Sequence, residues 1–338
     1  MTHPFPQELQ SALQAVRQAA IACRSVQSSI TTESLAKKDK SPVTVADFAS
    51  QAIICRQLQL DFPNDPVIGE EGAAELRLPS GQQFLEQVVR ECAAAGVEAT
   101  TLQVCDWIDR GGASTYSPRF WTLDPIDGTK GFLRKEQYAI SLALIVNGQI
   151  EIGVLGCPNM PFEGQPDGCG VLAWAVRGHG AWMQPLSQPD FSPVRISVST
   201  VYQTAAMRFC ESVESGHSSH DWSGLIATEL RISLEPVRMD SQCKYLAVAR
   251  GDADLYLRLP TRKGYQEKIW DHAGGILVVQ EAGGHVTDID GKAPDFTQGS
   301  SLAANEGMVV TNSNAHETIV AAIRKHSPHS DETAPQHP

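Results

Sequence analysis

The chain has 338 residues, of which 42% are hydrophobic and 20% are charged, a size and composition typical of a globular enzyme with more than one core. No apolar run approaches the roughly 20 residues that a membrane-spanning helix needs, so we expect no membrane segment. The net charge of −12 disfavours binding to nucleic acid polymers, but a small phosphate-bearing ligand needs only a metal ion or a few local cations.

Apolar periodicity predicts helices in the first forty residues, from Thr44 to near Pro63, and around residues 84–95. A short strand is predicted at residues 66–69. Further strands are predicted at residues 120–123, 139–146, 150–155, 170–176 and 180–183. Asn147-Gly148 predicts a tight hairpin turn, because both residues tolerate the positive φ angles that such turns require.

A segment with three prolines, residues 184–193, is the best candidate for a domain boundary. It divides the chain into an N-terminal α+β domain (1–185), a C-terminal α/β domain (186–326) and a tail (327–338) that we expect to be disordered. In the second domain the pattern predicts strands at residues 194–198 and 253–259, and helices at residues 222–230, 271–281 and 314–325.

The eight cysteines show no paired or metal-type spacing, which favours a reducing compartment. The N-terminus has no apolar segment after a basic start, so a cytoplasmic location is expected. The pattern does not determine the oligomeric state, and a monomer is the default expectation.

Two aspartates, Asp124 and Asp127, follow a predicted buried strand. Carboxylates about 4 Å apart repel each other by roughly 4 kcal/mol at an effective dielectric of 20, so one must take a proton or a cation must lie between them. Oxygen ligands of this kind suit Mg²⁺. Pro125 lacks an amide donor, which frees the Ile126 carbonyl as a further ligand. The alternative is an Asx-turn with two solvated aspartates.

Three other acids fit a site but also have ordinary explanations. Asp271 precedes small residues that would permit close packing, yet aspartate often caps a helix. Glu70, next to Glu71, is equally typical of a solvated loop. Asp47 is predicted in the first turn of a helix, where the helix dipole alone would favour a carboxylate.

Three motifs, at residues 69–71, 124–129 and 270–275, resemble in content and order those of the inositol monophosphatase superfamily of metal-dependent, lithium-sensitive phosphatases. Longer strings at residues 41–47, 211–221, 240–245 and 256–260 resemble its 3′(2′),5′-bisphosphate nucleotidase branch. The resemblance covers about residues 5–325. It implies a layered αβαβα sandwich, an α+β half followed by an α/β half, with the metal site at the seam.

The resemblance also implies a set of metal ligands and catalytic residues. Two or three Mg²⁺ ions would be held by Glu70, Asp124, the Ile126 carbonyl, Asp127 and Asp271. Asp47 and Thr129 would orient and deprotonate the attacking water. Substrate would be bound by Gly128, Thr129, His217, Ser241, Lys244, Arg258 and Asp271. Arg258 has an ordinary alternative, a pair with a nearby acid, and His217 could be a plain loop histidine.

The implied reaction removes the 3′-phosphate from adenosine 3′,5′-bisphosphate, giving AMP and phosphate, and its sulfated relative is a further expected substrate. Such a role belongs to sulfur metabolism. The alternative within enzymes is an inositol monophosphatase or inositol polyphosphate 1-phosphatase, which would share the metal residues. A non-catalytic metal-binding regulatory protein is the remote alternative, but such a protein would be expected to have lost one of the acids.

Overall fold

The computed structural model describes residues 3–30, 41–213, 220–262 and 264–327, so His217 and most of the predicted tail lie outside the described residues. The helices are α1 (Pro6–Ser29), α2 (Ser41–Asp61), α3 (Gln82–Ala94), α4 (Thr101–Asp109), α5 (Thr129–Leu133), α6 (His220–Leu230), α7 (Cys243–Ala249), α8 (Ala273–Glu281) and α9 (His316–Lys325). The strands are β1 (Val67–Gly69), β2 (Arg119–Asp127), β3 (Ala139–Val146), β4 (Gln149–Cys157), β5 (Val171–Val176), β6 (Ala181–Pro185), β7 (Val194–Ile196), β8 (Phe209–Glu211), β9 (Val237–Arg238), β10 (Leu255–Arg258), β11 (His285–Thr287) and β12 (Met308–Thr311). Among the described residues, no helix combines the length and apolarity needed to cross a membrane.

Within these residues the strands form two sheets. The first has the order β1-β2-β3-β4-β5-β6-β7, and the second has the order β11-β12-β10-β8-β9. In the first sheet β1 runs parallel to β2, and the later neighbours are antiparallel. The turn between β3 and β4 has positive φ at Asn147 (50°) and Gly148 (76°), which confirms the predicted hairpin.

Three apolar cores lie between the layers. The first joins α1 and α2 to one face of the first sheet and includes Val16, Ile53 and Leu142. The second joins the opposite face of that sheet to α7, α8 and the second sheet. The third joins the far face of the second sheet to α6 and α9, with Ile226 and Ile319 at its centre. The order is therefore helix, sheet, helix, sheet, helix, and the predicted αβαβα sandwich is confirmed.

A β-bulge in β2 sets the direction of the two aspartates. Asp124 lies opposite Ser141 of β3, whereas Asp127 lies opposite Ala139, so the register shifts between them. Residues directly opposite in an antiparallel pair point to the same face, and Ser141 and Ala139 share a face because they are two residues apart. Asp124 and Asp127 consequently both face α7 and α8, although residues three apart in a regular strand would face opposite ways.

Several predicted boundaries were wrong. The first helix ends at Ser29, and residues 31–40 lie outside the described residues. Helix α2 begins at Ser41 rather than Thr44, so Asp47 lies in its second turn, where the helix dipole explains a carboxylate less well. Helix α8 begins at Ala273, so Asp271 precedes it.

The strand predicted to open the second domain, β7, pairs with β6 and so extends the first sheet. The polypeptide therefore crosses the proline-rich segment without leaving that sheet. The division into two domains at residues 185 and 186 stays a prediction.

Candidate active site

Asp124 lies at the centre of a group of acids. Its side chain is 2% exposed, and its Oδ1 atom has no hydrogen-bond partner in the described structure. Burial, together with the charges of four neighbouring carboxyl groups, raises the pKa of Asp124 well above its usual range; the neighbours are Glu70, Asp127, Asp271 and Asp47. Acids as far apart along the chain as Asp47 and Asp271 thus lie around one buried carboxyl group.

Asp127 is held from the second half of the chain. Its Oδ2 atom accepts a hydrogen bond of 2.6 Å from the backbone N–H of Gln242, just before α7. Because the partner of Asp127 is 115 residues away and Asp124 is buried, the interpretation as an Asx-turn with two solvated aspartates is wrong. The bulge between the two aspartates takes Pro125 and Ile126 out of the regular pairing with β3.

Glu70 follows β1 and reaches the same group. Loss of water around its carboxyl group and the charges of Glu71 and Asp127 raise the pKa of Glu70 to about 7, while a hydrogen bond with Asp124 opposes the rise. The loop is fixed by Gln51 of α2, which donates to the Glu71 carbonyl (2.6 Å) and accepts from the Glu71 N–H (3.0 Å). Glu70 keeps solvent access, but its carboxyl group interacts with Asp124 and Asp127, so Glu70 is more than an isolated loop acid.

The two predicted catalytic residues lie on different elements. Asp47 is buried in α2, and burial together with the charges of Glu71 and Glu70 raises its pKa well above the usual range. Thr129 is exposed and is the first residue of α5, which contains five residues. The structure thus brings Asp47 to the acid group, whereas Thr129 is exposed two residues after Asp127.

Asp271 approaches the group from the turn before α8. Burial and the charges of Asp127 and Glu70 raise the pKa of Asp271 to about 7, against the opposing charge of Arg258. The residue before α8 is His272, and no side chain caps this helix start. The capping interpretation of Asp271 is therefore wrong.

Arg258 forms ion pairs within the site. Its Nε atom lies 2.9 Å from Oε2 of Glu267, and its Nη2 atom lies 3.6 Å from Oδ2 of Asp271. Glu267 is also 3.2 Å from Nε2 of His272, whose Nδ1 is 2.7 Å from the Tyr245 hydroxyl. Burial of Glu267 is outweighed by the hydrogen bond with His272 and the charge of Arg258, which bring the pKa of Glu267 to about 2. The expected alternative, that Arg258 pairs with an acid, is confirmed.

Of the substrate-binding residues predicted in the second half of the chain, Ser241 lies against Gly128. Gly128 has φ 92°, and a Cβ atom there would lie 2.9 Å from Cβ of Ser241, so this position requires glycine. Ser241 is buried and itself has φ 70°. Lys244, 3% exposed, places its ammonium group 5.0 Å from the ring centre of Tyr256. Within the described ranges, no carboxylate pairs with this lysine.

The family model described as the inositol monophosphatase family matches residues 6–327. This chain belongs to that family. The prediction of a phosphatase enzyme of this superfamily is thereby confirmed.

Curated relatives align with almost the whole length of this chain. A protein of Schizosaccharomyces pombe named 3′(2′),5′-bisphosphate nucleotidase is 41% identical, over 98% of this chain and 99% of its own length. An Arabidopsis thaliana protein named 3′(2′),5′-bisphosphate nucleotidase 1 is also 41% identical, over 95% of this chain and 96% of its own.

Solved structures of the family share the fold. An IMPase from Thermotoga maritima superposes with a TM-score of 0.62 at 19% identity, covering 94% of this chain and 97% of that one. CysQ from Bacteroides thetaiotaomicron gives a TM-score of 0.61 at 20% identity, covering 91% of this chain and 98% of that one. At these identities the comparison supports the fold alone.

The acids around Asp124 fit the metal dependence of the family. A buried carboxylate oxygen without a partner, surrounded by other carboxylates, is costly unless a cation compensates it. Among the described residues, the group whose possible ligand atoms all lie within 4.8 Å of one another is a different one, Glu267, Asp271 and His272, which shares Asp271 with the first. There Arg258 already supplies a positive charge, so the first group is the better match for divalent ions.

Two glutamines that the sequence pattern does not mark position the acids. Gln51 and Gln242 are buried, at 0% and 1% exposure, and hold the loops of Glu70, Asp127 and Asp271. The apolar residues that follow Gln51 were the available signal for that glutamine, since uncompensated amides are rarely buried. Gln242, between Ser241 and Cys243, had no such signal. Glu267 had no signal in its local sequence.

Proposed function

We propose that this enzyme is a Mg²⁺-dependent phosphatase that converts adenosine 3′,5′-bisphosphate to AMP and phosphate, and that it also removes the 3′-phosphate of the sulfated analogue. Glu70, Asp124, the Ile126 carbonyl, Asp127 and Asp271 would hold two or three ions. One observation carries the metal-dependent reaction class: the buried Oδ1 of Asp124 lacks a partner in the described structure while four other acids surround it.

The choice of a nucleotide is supported by the relatives, whose names specify bisphosphate nucleotides and whose sequences align over nearly the whole chain. Lys244 supports it as well. A buried ammonium group that contacts an aromatic ring and no described carboxylate is available to an incoming phosphate. Ser241, next to Gly128, lies at the junction between this lysine and the acid group.

Divalent ions, when bound, supply charge neutralisation for the phosphate oxygens and make an attacking water more acidic. The protein supplies the proton acceptor. Burial and the charges of Glu71 and Glu70 raise the pKa of Asp47. Bound divalent ions would offset the nearby charges and leave Asp47 ionised, and a carboxylate whose pKa stays above that of a solvated one is the better base. Thr129 would orient the water through its hydroxyl, which both donates and accepts hydrogen bonds.

The test is phosphate release by the purified enzyme with and without Mg²⁺. We compare adenosine 3′,5′-bisphosphate with inositol 1-phosphate and inositol 1,4-bisphosphate. The proposal predicts the highest kcat/KM for the nucleotide and no turnover in EDTA. Faster turnover of either inositol phosphate would reject the substrate assignment, and activity that survives metal removal would reject the mechanism. Lithium, a typical inhibitor in this family, should inhibit the same reaction.

A further inference from the structure

An ion pair with a buried acid joins the two halves of the chain beside the acid group. Arg134, the residue after α5, pairs through its Nη2 atom with Oδ2 of Asp240, which lies 106 positions further along the chain. The side chain of Asp240 is 4% exposed, and that of Arg134 is 31% exposed. Nε of Arg134 also lies 2.6 Å from Oε2 of Glu136, so one guanidinium connects a buried carboxylate with one near the surface.

Asp240 begins the short segment that holds Asp127. Two residues after Asp240, the backbone N–H of Gln242 donates to Oδ2 of Asp127 at 2.6 Å. Ser241, between Asp240 and Gln242, has φ 70°, a left-handed conformation that is unfavourable for a residue other than glycine. Such a conformation persists only where the surrounding structure holds it, and the ion pair of Asp240 supplies a contact directly before it.

The same segment packs closely against α5 and the residue before that helix. A Cβ atom on Gly131 would lie 3.2 Å from both Cβ and Oδ2 of Asp240, and one on Gly128 would lie 2.9 Å from Cβ of Ser241. Packing of this kind fixes how near the two stretches of chain lie. The hydrogen bond to Asp127 and the ion pair of Asp240 depend on direction as well, so together they fix how the stretches are aligned.

Stability alone does not explain the pair. Oδ1 of Asp240 is buried and has no hydrogen-bond partner in the described structure, which costs free energy. A buried ion pair is often no more stabilising than apolar side chains of similar volume. Because Asp240 is two residues from the N–H that binds Asp127, the geometry of the site explains the pair better.

We infer that Arg134 and Asp240 are positioning residues, whose ion pair holds Ser241 and Gln242 in the arrangement that directs Asp127 towards the bound metal. This inference rests on the proposed function, in which Asp127 is a metal ligand. Both residues act through Gln242 rather than on the substrate. Loss of the pair releases the N–H that orients Asp127, so it weakens Mg²⁺ binding and slows the reaction while the fold persists.

The experiment measures two quantities. The first is the Mg²⁺ concentration that gives half of the maximal metal-dependent rise in the thermal unfolding midpoint, and the second is kcat for adenosine 3′,5′-bisphosphate at saturating Mg²⁺. Asp240→Asn and Arg134→Met should each raise that concentration and lower kcat by about 10- to 100-fold, the usual effect of losing a residue that orients a metal ligand.

The double variant Arg134→Met/Asp240→Asn separates positioning from stability. It leaves neither charge of the pair buried and unpaired, so it should fold even where a single variant does not. Its losses in Mg²⁺ binding and kcat should be within about threefold of those of the more impaired single variant, because both substitutions remove the same contact. A double variant that folds and matches the original in both measurements would overturn the inference.

The matched control is Asp65→Asn. Asp65 pairs with Arg119 at 2.8 Å, and the side chain of Arg119 is 32% exposed, close to the 31% of Arg134. Arg119 is the first residue of β2, whereas the acids lie at the other end of that strand. Asp65→Asn should leave both measured quantities within about threefold of the original. Equal losses in this control and in Asp240→Asn would also overturn the inference.

The unaltered enzyme distinguishes the two proposals. If it turns over the nucleotide only with Mg²⁺ and the double variant does the same equally well, the proposed function stands and the positioning role is rejected. If the unaltered enzyme shows no Mg²⁺-dependent turnover of the nucleotide, the proposed function and this inference are rejected together.

Discussion

At the scale of single residues, buried amides hold the loops and turns that carry the acids. Gln242 is 1% exposed, and its side chain bonds to the Ser141 hydroxyl (3.1 Å), the Gly275 N–H (3.1 Å) and the Trp270 carbonyl (2.9 Å). Its backbone N–H binds Asp127. One residue thereby fixes two of the proposed metal ligands, Asp127 directly and Asp271 through its neighbour Trp270.

We predict that Gln242→Ala lowers the free energy of unfolding by about 2–4 kcal/mol, since three buried polar groups lose their partner. It should also lower kcat at least about tenfold, because the segment before Asp271 is released. Urea denaturation and initial rates at saturating substrate measure the two effects.

The control is Gln27→Ala. Gln27 is likewise buried and donates to the Phe132 carbonyl at 2.9 Å, but it contacts none of the acids. Its replacement should destabilise the protein comparably and leave kcat within about threefold. If the two variants lose kcat equally, Gln242 has no positioning role.

The residue types of the site could be predicted from the sequence, but their partners could not. Asp124 and Asp127 stand out because two acids after a buried strand need compensation. The Arg258–Glu267 pair joins a strand to a loop nine positions later, and no periodicity links such positions. The sequence therefore predicted that Arg258 could pair with an acid but not that the acid is Glu267, and the assignment of Arg258 to a substrate phosphate stays a prediction.

At the scale of elements, α8 packs unusually close to the first sheet and to α7. A Cβ atom on Gly275 would lie 2.5 Å from Cγ of Tyr245, and one on Gly153 of β4 would lie 2.6 Å from the Gly274 carbonyl oxygen. The small residues after Asp271 were predicted to allow such packing, and the structure confirms it. The position of Asp271 depends on this close approach.

We predict that Gly275→Ala destabilises the protein by about 2–3 kcal/mol through overpacking against Tyr245. Gly224→Ala in α6 is the matched substitution, since a Cβ there meets nothing within 4 Å. It should instead stabilise the protein by about 0.5–1 kcal/mol, because alanine is the better helix former. Thermal unfolding measures both, and a Gly275→Ala variant as stable as the original would contradict the packing argument.

A buried histidine, His316 at the start of α9, should make the stability of the protein depend on pH. The Thr287 hydroxyl donates to the Asp288 carbonyl (2.8 Å), so its oxygen accepts a hydrogen bond from Nε2 of His316 (2.9 Å). The other ring nitrogen of His316, Nδ1, accepts a hydrogen bond from the Thr311 hydroxyl (2.9 Å). The ring is thus bound in its neutral form. Burial, and the charge of the stacked His285, lower the pKa of His316 from 6.5 to about 4.

Because the unfolded chain takes up this proton at a higher pH than the folded one, stability falls as the pH drops from 6.5 towards 4. Urea midpoints should decrease across that window, by up to about 3 kcal/mol in unfolding free energy. His316→Gln should flatten the dependence. Parallel pH profiles for the two proteins would contradict the assignment.

Elements with a repeating pattern were predicted, and short buried ones were missed. The hairpin of β3 and β4 follows from alternation and Asn147-Gly148. Helix α7 has seven residues, all buried, so no polar face marks it as a helix. Helix α4 was missed although Thr100 and Gln103 form a capping box at its start, a signal that the sequence contains.

At the scale of the whole molecule, the acid group joins segments from both halves of the chain. Glu70 follows β1, and Asp124 and Asp127 lie in β2 of the same sheet, whereas Asp271 and Gln242 precede the helices between the sheets. Without a cation their mutual repulsion opposes folding, so ligand binding at this point should stabilise the entire fold.

We predict that Mg²⁺ raises the thermal unfolding midpoint relative to the EDTA-treated protein. Asp124→Asn should abolish turnover and remove this metal-dependent gain. In EDTA, however, the variant should be at least as stable as the original, because one buried repulsive acid is gone. A full stabilisation of Asp124→Asn by Mg²⁺, or substantial residual activity, would contradict the assigned role of Asp124.

The irregularity in β2 has a consequence for how this motif tolerates insertions and deletions. Removing one residue between Asp124 and Asp127 would restore uninterrupted pairing with β3 and leave both aspartates on the same side, now two positions apart. The Ile126 carbonyl, proposed as a metal ligand, would then be used in the hydrogen bonds between β2 and β3. The three-residue spacing is therefore a way to add a main-chain oxygen to a pair of carboxylates.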